Sequence, residues 1–391
     1  MIRAGTGQST VGSTTQAAEQ AAAAAMAQAG ITKADAVFAF FTVEHAAKGD
    51  ELLQTLMRCT GTDRIIGSSA AGVIAGEAET EVSHGLAVMA LASDQMRAES
   101  FLHHPLRERD AEIGAEMARQ PASTTDESPL LVVIPDTYNG QPQVMLEQIQ
   151  ENGFVPIVGA GSSENGTVRA TYQACGSELT SNAVVGMRLS GKFEASVDIT
   201  QGCQPITGPM VITKAQENLI IEIDNRPALE VFARILKGPL AEDLRRALMV
   251  LFVGLPADRA ENSVAPGHYV VRNITGLDPK HGVIAVAEHV SEGEAVIFTL
   301  RDGERARDDL NQMLERQRER LGGKKPAFGL YFNCCARGTS LYGISGIDAA
   351  YIRQSLGEFP LIGMFGGYEL APLGNANHLF AYTGVLALIT E

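Results

Sequence analysis

The stretch that decides the fold runs from Pro326 to Glu391. It reads PAFGLYFNCCARGTSLYG over 326–343, FPLIGMFGGYELAPLGN over 359–375 and HLFAYTGVLALIT over 378–390. An apolar run, Phe328–Phe332, has the composition of a buried strand and passes straight into the polar turn Asn333-Cys334-Cys335-Ala336-Arg337-Gly338. A second short strand, starting at Pro360, enters the glycine-rich segment Gly363–Glu369. If the helix predicted over Ile347–Leu356 makes the usual right-handed crossover, the two strands are parallel. Their C-terminal ends then share one edge, which is where open α/β sheets hold ligands. Cys334, Arg337, Tyr368 and Glu369 are therefore expected to converge.

The same grammar occurs twice upstream. Helix, strand, helix, strand, glycine-rich loop and strand are predicted over Gln16–Ala29, Ala36–Phe41, Gly49–Cys59, Arg64–Ser68, Gly67–Gly72 and Gly85–Ala92. They recur over Asp110–Arg119, Leu130–Ile134, Gln141–Glu151, Val155–Val158, Gly159–Asn165 and Ala183–Leu189. Each second strand enters its loop through a matched string: Ile65-Ile66-Gly67, Ile157-Val158-Gly159 and Leu361-Ile362-Gly363. Recurrence of several aligned features points to internal duplication. The stretch 201–300 breaks the pattern with short strands and turns around a helix at Pro227–Leu236. The expected fold is α/β, built of duplicated helix-strand-helix-strand-strand units in mixed sheets. The closing strand of each unit should be antiparallel, and the bare sheet faces should pack together in a layered α-β-β-α body. Ser13-Thr14-Thr15-Gln16 is expected to form a capping box.

Bulk properties exclude several functions. The 391 residues carry a net charge of −15 and a mean hydropathy of +0.02. Nucleic acid and anionic membrane both require clustered Lys and Arg, and neither is expected as a partner. No apolar run approaches the roughly 20 residues of a membrane span, and no signal peptide is evident. Five cysteines, an odd number, fit a reducing cytoplasm. CxxC and HExxH motifs and histidine clusters are absent, so neither a metal nor a cofactor is expected.

The loops offer two chemistries, and an interaction protein without a small ligand is the third reading. Arg337 has the geometry to grip a carboxylate through two parallel hydrogen bonds, with Gly338 permitting close backbone approach. Glu369 would take an amino group, completing a clamp for a zwitterion. Asn333, Cys334 and Tyr368 would line the pocket, with Ser68 and Ser69 from the first glycine-rich loop. The alternative use of Arg337 is an internal ion pair, with Glu369 or another carboxylate as partner. The other chemistry is nucleophilic. Cys334 or Cys335 would attack, with His378 as base and His45 as a second choice. No GxSxG elbow, Walker loop or GxGxxG motif is present.

The chain resembles the FIST family, in which an N-terminal and a C-terminal FIST region are linked. The resemblance is carried by AGTGQST with AAEQAAAAAMAQAG, by RIIGSSAAGVIAGE with GLAVMAL, by QGCQPITGPMVITKAQENLIIEIDNRPALEVF, and by YVVRNITGLDPKHGVIAVAEHVSEGEAVIFTLRD with FNCCARG, FPLIGMFGGYELAP and YTGVLAL. It implies an N-like region over 1–220 and a C-like region over 221–391. It also implies a sensory role in intracellular signal transduction, with a small ligand, amino acids among the possibilities, and a separate signalling partner. No catalytic residues carry over. A homodimer is the general expectation for a soluble protein.

Overall fold

The computed structural model describes residues 1–81, 83–119, 129–151 and 153–391. They form two compact units. The first comprises Met1–Ile199, Leu310–Leu379 and Thr383–Glu391; the second comprises Thr200–Asp309 with Phe380–Tyr382.

The first unit is a threefold repeat. Repeat one runs β1 (Ile2–Ser9), α1 (Thr14–Ala29), β2 (Ala36–Thr42), α2 (Gly49–Thr60), β3 (Ile65–Ala70), the hairpin β4 (Val73–Ala75) and β5 (Ala78–Thr80), then β6 (Leu86–Ser93). Repeat two runs β7 (Met96–His103), α3 (Asp110–Arg119), β8 (Leu130–Pro135), α4 (Pro142–Gln150), β9 (Ile157–Ala160), the hairpin β10 (Gln173–Cys175) and β11 (Glu178–Thr180), then β12 (Val184–Gly191). Repeat three opens with β13 (Glu194–Gln201).

The chain then contributes the second unit. Its strands are β14 (Cys203–Pro205), β15 (Met210–Gln216), β16 (Leu219–Ile223), β17 (Arg226–Pro227), β18 (Leu251–Pro256), β19 (Tyr269–Asp278), β20 (Val283–Val286) and β21 (Ala295–Arg301). Its helices are α5 (Ala228–Ile235), α6 (Pro239–Glu242) and α7 (Leu244–Val250). These eight strands form one sheet around a core of Cys203, Phe252, Tyr269, Val271 and Ile297. Repeat three resumes with α8 (Gly303–Leu321), β22 (Phe328–Cys334), α9 (Thr339–Tyr342), α10 (Ile347–Leu356), β23 (Leu361–Gly366), the hairpin β24 (Glu369–Leu373) and β25 (Ala376–Phe380), then β26 (Thr383–Thr390).

In each repeat the two central strands are parallel: β2 with β3, β8 with β9, β22 with β23. The closing strand lies antiparallel to the first of them, as the sequence predicts: β6 with β2, β12 with β8, β26 with β22. The sequence reading missed β1 and all three hairpins. Each hairpin completes another repeat's sheet. Hairpin β4–β5 pairs with β23, β10–β11 with β3, and β24–β25 with β9. This cyclic exchange ties three six-stranded sheets into one body.

The matched glycines have a shared cause. A Cβ on Gly67 would lie 1.9 Å from the Ala39 carbonyl oxygen, on Gly159 1.9 Å from that of Val133, and on Gly363 2.1 Å from that of Tyr331. The parallel strands approach too closely there for any side chain.

Helices cover one face of each sheet, as in the cluster of Ala21, Ala25, Leu52 and Leu56 against Val37, Ala39, Phe41 and Val88. The bare faces meet each other, in three sheets rather than the two of a simple layered body. Phe40 and Phe332 stack edge-on with centroids 6.2 Å apart. Ser13 is the N-cap of α1, but its side chain makes no capping bond, so the capping box does not form.

Candidate functional site

The three glycine-rich loops meet around the pseudo-threefold axis. Ser163 N–H donates to the Ser69 carbonyl (3.2 Å), Gly367 N–H to that of Gly161 (2.9 Å) and Ala71 N–H to that of Phe365 (3.2 Å). Each repeat thus bonds to the next in a closed ring. Ser69 Oγ donates to the Ser163 carbonyl (3.0 Å) and accepts from Tyr172 N–H (3.0 Å). Ser68 Oγ faces Met364 Sδ at 3.5 Å. Both serines are fully buried. They hold the ring together.

The residues expected to converge are divided by strand pleating, because neighbours on a strand point to opposite faces. Asn333 lies on the helix-covered face of β22 and Cys334 on the inner face. Asn333 Nδ2 donates to Asp348 of α10 at 3.0 Å. Cys334 interacts with the Glu369 carboxyl instead. Tyr368 packs in the helix-side core of the second sheet with Leu131, Val133 and Leu146, while Glu369 turns inward. Glu369 Oε2 accepts from Thr383 Oγ1 (2.7 Å) and N–H (3.2 Å). Burial, then the neighbouring Cys334, holds the Glu369 carboxyl well above the usual carboxylate range.

Arg337 goes to the helix side with Asn333. Its Nε and Nη2 donate to Asp348 (3.1 Å each), and Nη2 also donates to the Tyr342 hydroxyl (2.7 Å). Tyr331 and Tyr342 hydroxyls add bonds to the same carboxylate, 2.8 Å each. Arg337 is fully buried. Its fork is therefore spent on an internal acid, and the Arg337–Glu369 clamp does not form in this geometry. Gly338 has φ +57°, and a Cβ there would strike the Glu81 carboxylate at 2.6 Å. The close approach expected at this glycine is thus to a side chain of the first repeat.

The thiols differ. Cys335 is exposed and Cys334 is buried. His378 lies on β25, the edge strand of the second sheet, whereas Cys334 ends a strand of the third. His45 is buried, with Nδ1 3.0 Å from Thr14 Oγ1.

Another feature has the dimensions of a ligand site. A cleft of about 710 Å³ opens at the other end of the sheets, where repeat one meets repeat three. Small-molecule sites occupy about 300–1,000 Å³. Ile2, Ala4, Ile352, Phe359 and Leu361 supply apolar wall. Arg3 and Lys325 stand on the rim, and Arg353 is held between Glu77 and Glu358. Helices α1 and α10 both end at this cleft, at Ala29 and near Gly357, adding negative dipole ends. The site thus offers both signs of charge beside an apolar wall.

Sequence reasoning missed Asp348, Glu79 and the cleft. Asp348 leaves a trace: it sits four residues before Ile352 on one face of a short helix, so an acid shares a buried stripe. Glu77, Glu79 and Glu81 alternate with Ala78 and Thr80, which places all three on one side of the β5 hairpin arm. Nothing in the sequence juxtaposes Arg3 with Lys325.

The fold and its loops define an α/β protein of threefold internal repeat with a strand-rich insertion. Comparison places it further. Residues 35–226 match the FIST N domain and residues 228–372 the FIST C domain. The chain belongs to the FIST family, whose domains are small-ligand sensory domains of signalling proteins. It is 31% identical over 395 residues to an uncharacterized protein of Mycobacterium tuberculosis strain H37Rv, covering 100% of both chains. It is 28% identical over 351 residues to one of Mycobacterium bovis, covering 89% of this chain and 88% of that one. Among solved structures it is similar to cyanuric acid hydrolase from A. caulinodans, with TM-score 0.25 and 11% identity, covering 48% of this chain and 70% of that one. Among the described residues no helix is long and apolar enough to cross a membrane, and no group of three or more His, Cys, Asp or Glu is placed to hold a metal ion.

Proposed function

We propose that this protein is a cytoplasmic sensor that binds an amino acid or a related small carboxylate and passes its state to a separate signalling protein. The observation that carries the reading is the cleft between repeats one and three. It has room for a small molecule, and it presents fixed charge of both signs on a chain whose net charge is −15. A zwitterion uses both. Its carboxylate lies toward Arg3 and Lys325, which form no ion pair within 4 Å among the described residues. Its ammonium lies toward Glu77, Glu358 and the helix C-termini, and its side chain rests on Ile2 and Phe359. Arg337 then acts as a positioning residue inside repeat three.

A thermal-shift screen with the twenty amino acids and small dicarboxylates tests the proposal. A ligand at about a hundred times its Kd stabilises the folded protein by roughly 2.7 kcal/mol. A selective shift abolished by Arg3→Ser with Lys325→Ser is the expected result. A shift that survives the double substitution removes the cleft as the site, and no shift with any compound removes the ligand class.

A further inference from the structure

The hairpin that repeat one lends to repeat three ends in three alternating carboxylates, and each grips a different part of its host. Glu77 pairs with Arg353 near the end of α10. Glu79 accepts from the N–H groups of Gly346 (2.9 Å) and Ala349 (2.7 Å), closing the first turn of α10. Glu81 accepts from Thr339 N–H (2.9 Å) and Oγ1 (2.8 Å), at the start of α9. Among the described residues these acids supply side-chain caps to both helix starts, since neither Gly338 nor Gly346 has a side chain to do so. Between them runs Gly343-Ile344-Ser345-Gly346, with two glycines at positive φ and Ile344 60% exposed.

We propose that the Glu77-Glu79-Glu81 arm is a latch that holds α9, the Gly343–Gly346 turn and the first turn of α10 in place, and that deprotonation of Glu79 loosens it. Facing Glu79, its own hairpin supplies Glu77 and Glu81. Helix α10 supplies Asp348 and Arg353. The segment after β22 supplies Arg337 and Tyr342, whose charge and hydroxyl are already engaged by Asp348. Glu79, partly buried, therefore sits beside the buried Asp348 carboxylate, which takes the bonds of Arg337. Burial first, and Asp348 second, push its carboxyl up to about 7.

The sign follows from linkage. A released Glu79 titrates near the ordinary value of 4.5, whereas the latched one titrates near 7. The closed latch binds the proton more tightly, so closure is favoured at low pH and is lost as pH rises through 7. Each unit of that difference is a factor of ten in the closed-to-open ratio. The N–H bonds to Glu79 oppose this trend, but they are fewer than the burial and repulsion require. The latch stands on contacts separate from any ligand. Its opening would also move Arg353, which lines the cleft.

Hydrogen exchange of the full chain, followed by mass spectrometry of peptides covering 338–350, tests the proposal. With intrinsic exchange corrected for pH, protection of this segment should fall by roughly a hundredfold from pH 5 to pH 8. Peptides from α1 and β2 serve as the internal reference. Glu79→Gln, which keeps an acceptor but carries no charge, should abolish the pH dependence. Glu81→Gln should lower protection at every pH and keep the slope. A flat wild-type profile, or a slope that persists in Glu79→Gln, overturns the proposal.

Discussion

Replacing Arg337 by methionine distinguishes an internal brace from a ligand grip. The guanidinium is fully buried and donates to Asp348 twice and to Tyr342 once. Methionine fills much of the same space, so the main loss is the countercharge. Asp348 keeps bonds from Tyr331, Asn333 and Tyr342, but these are neutral donors. Removing one partner of a buried ion pair costs about 3–5 kcal/mol, because the other charge remains in a low-dielectric site. With a urea slope of about 1–3 kcal/mol per molar, the midpoint for the first unit should fall by about 1 M or more. Intrinsic fluorescence from tyrosine, read beside far-UV circular dichroism, follows that transition. Arg337→Met with Asp348→Asn removes both charges, keeps an acceptor for the Tyr331 and Tyr342 hydroxyls, and should recover much of the loss. A single variant within about 0.5 kcal/mol of wild type would refute the brace. Loss of ligand binding at unchanged stability would restore Arg337 as a direct contact.

Other outcomes follow from the same geometry. Gly67→Ala and Gly159→Ala each drive a Cβ to 1.9 Å from a carbonyl oxygen of the neighbouring strand. Each should cost about 1–3 kcal/mol or more, and an unchanged melting temperature would show that the strands separate easily. Among the thiols, Cys335 should react first with a maleimide under native conditions. Cys334 and Cys203, both buried, should react only after unfolding; fast labelling of Cys334 would reopen its candidacy as a nucleophile. Glu369→Gln mimics the neutral carboxyl and keeps an acceptor for Thr383. The folded-state value is raised, so the proton's contribution is full below the unfolded value and fades as pH rises through the folded one. The variant should match wild type below the unfolded value of 4.5 and become steadily the more stable of the two as pH rises above it, the difference levelling off where the buried Glu369 ionises. A constant difference across a melting series from pH 5 to 9 would show that Glu369 is already ionised.

Local patterning settled much of this protein. Apolar runs of strand length, helical stripes and three Gly-ended strings were enough to give an α/β class, a threefold grammar and an antiparallel closing strand. These features depend on short-range period and turn chemistry, which the chain writes openly. The hairpins were not legible, because three-residue strands such as Val73–Ala75 are too short to show a period. Their exchange between repeats was even less so, since it joins residues such as Val73 and Met364 that lie far apart in the chain.

The candidate site divides along the same line. The sequence placed turns at Asn333–Gly338 and Gly366–Glu369, and β22 and β23 do end there. It did not decide which way each side chain points. A one-residue step on a strand reverses the face, so Asn333 went to Asp348 while Cys334 went to Glu369. Only the tertiary structure supplied Arg337 with a buried partner, gathered Arg3, Lys325 and Arg353 around one cleft, and set two of three alternating glutamates of repeat one, Glu79 and Glu81, against the helix starts of repeat three. Charges act through space and pleats act through register, and neither distance nor register is encoded in local composition.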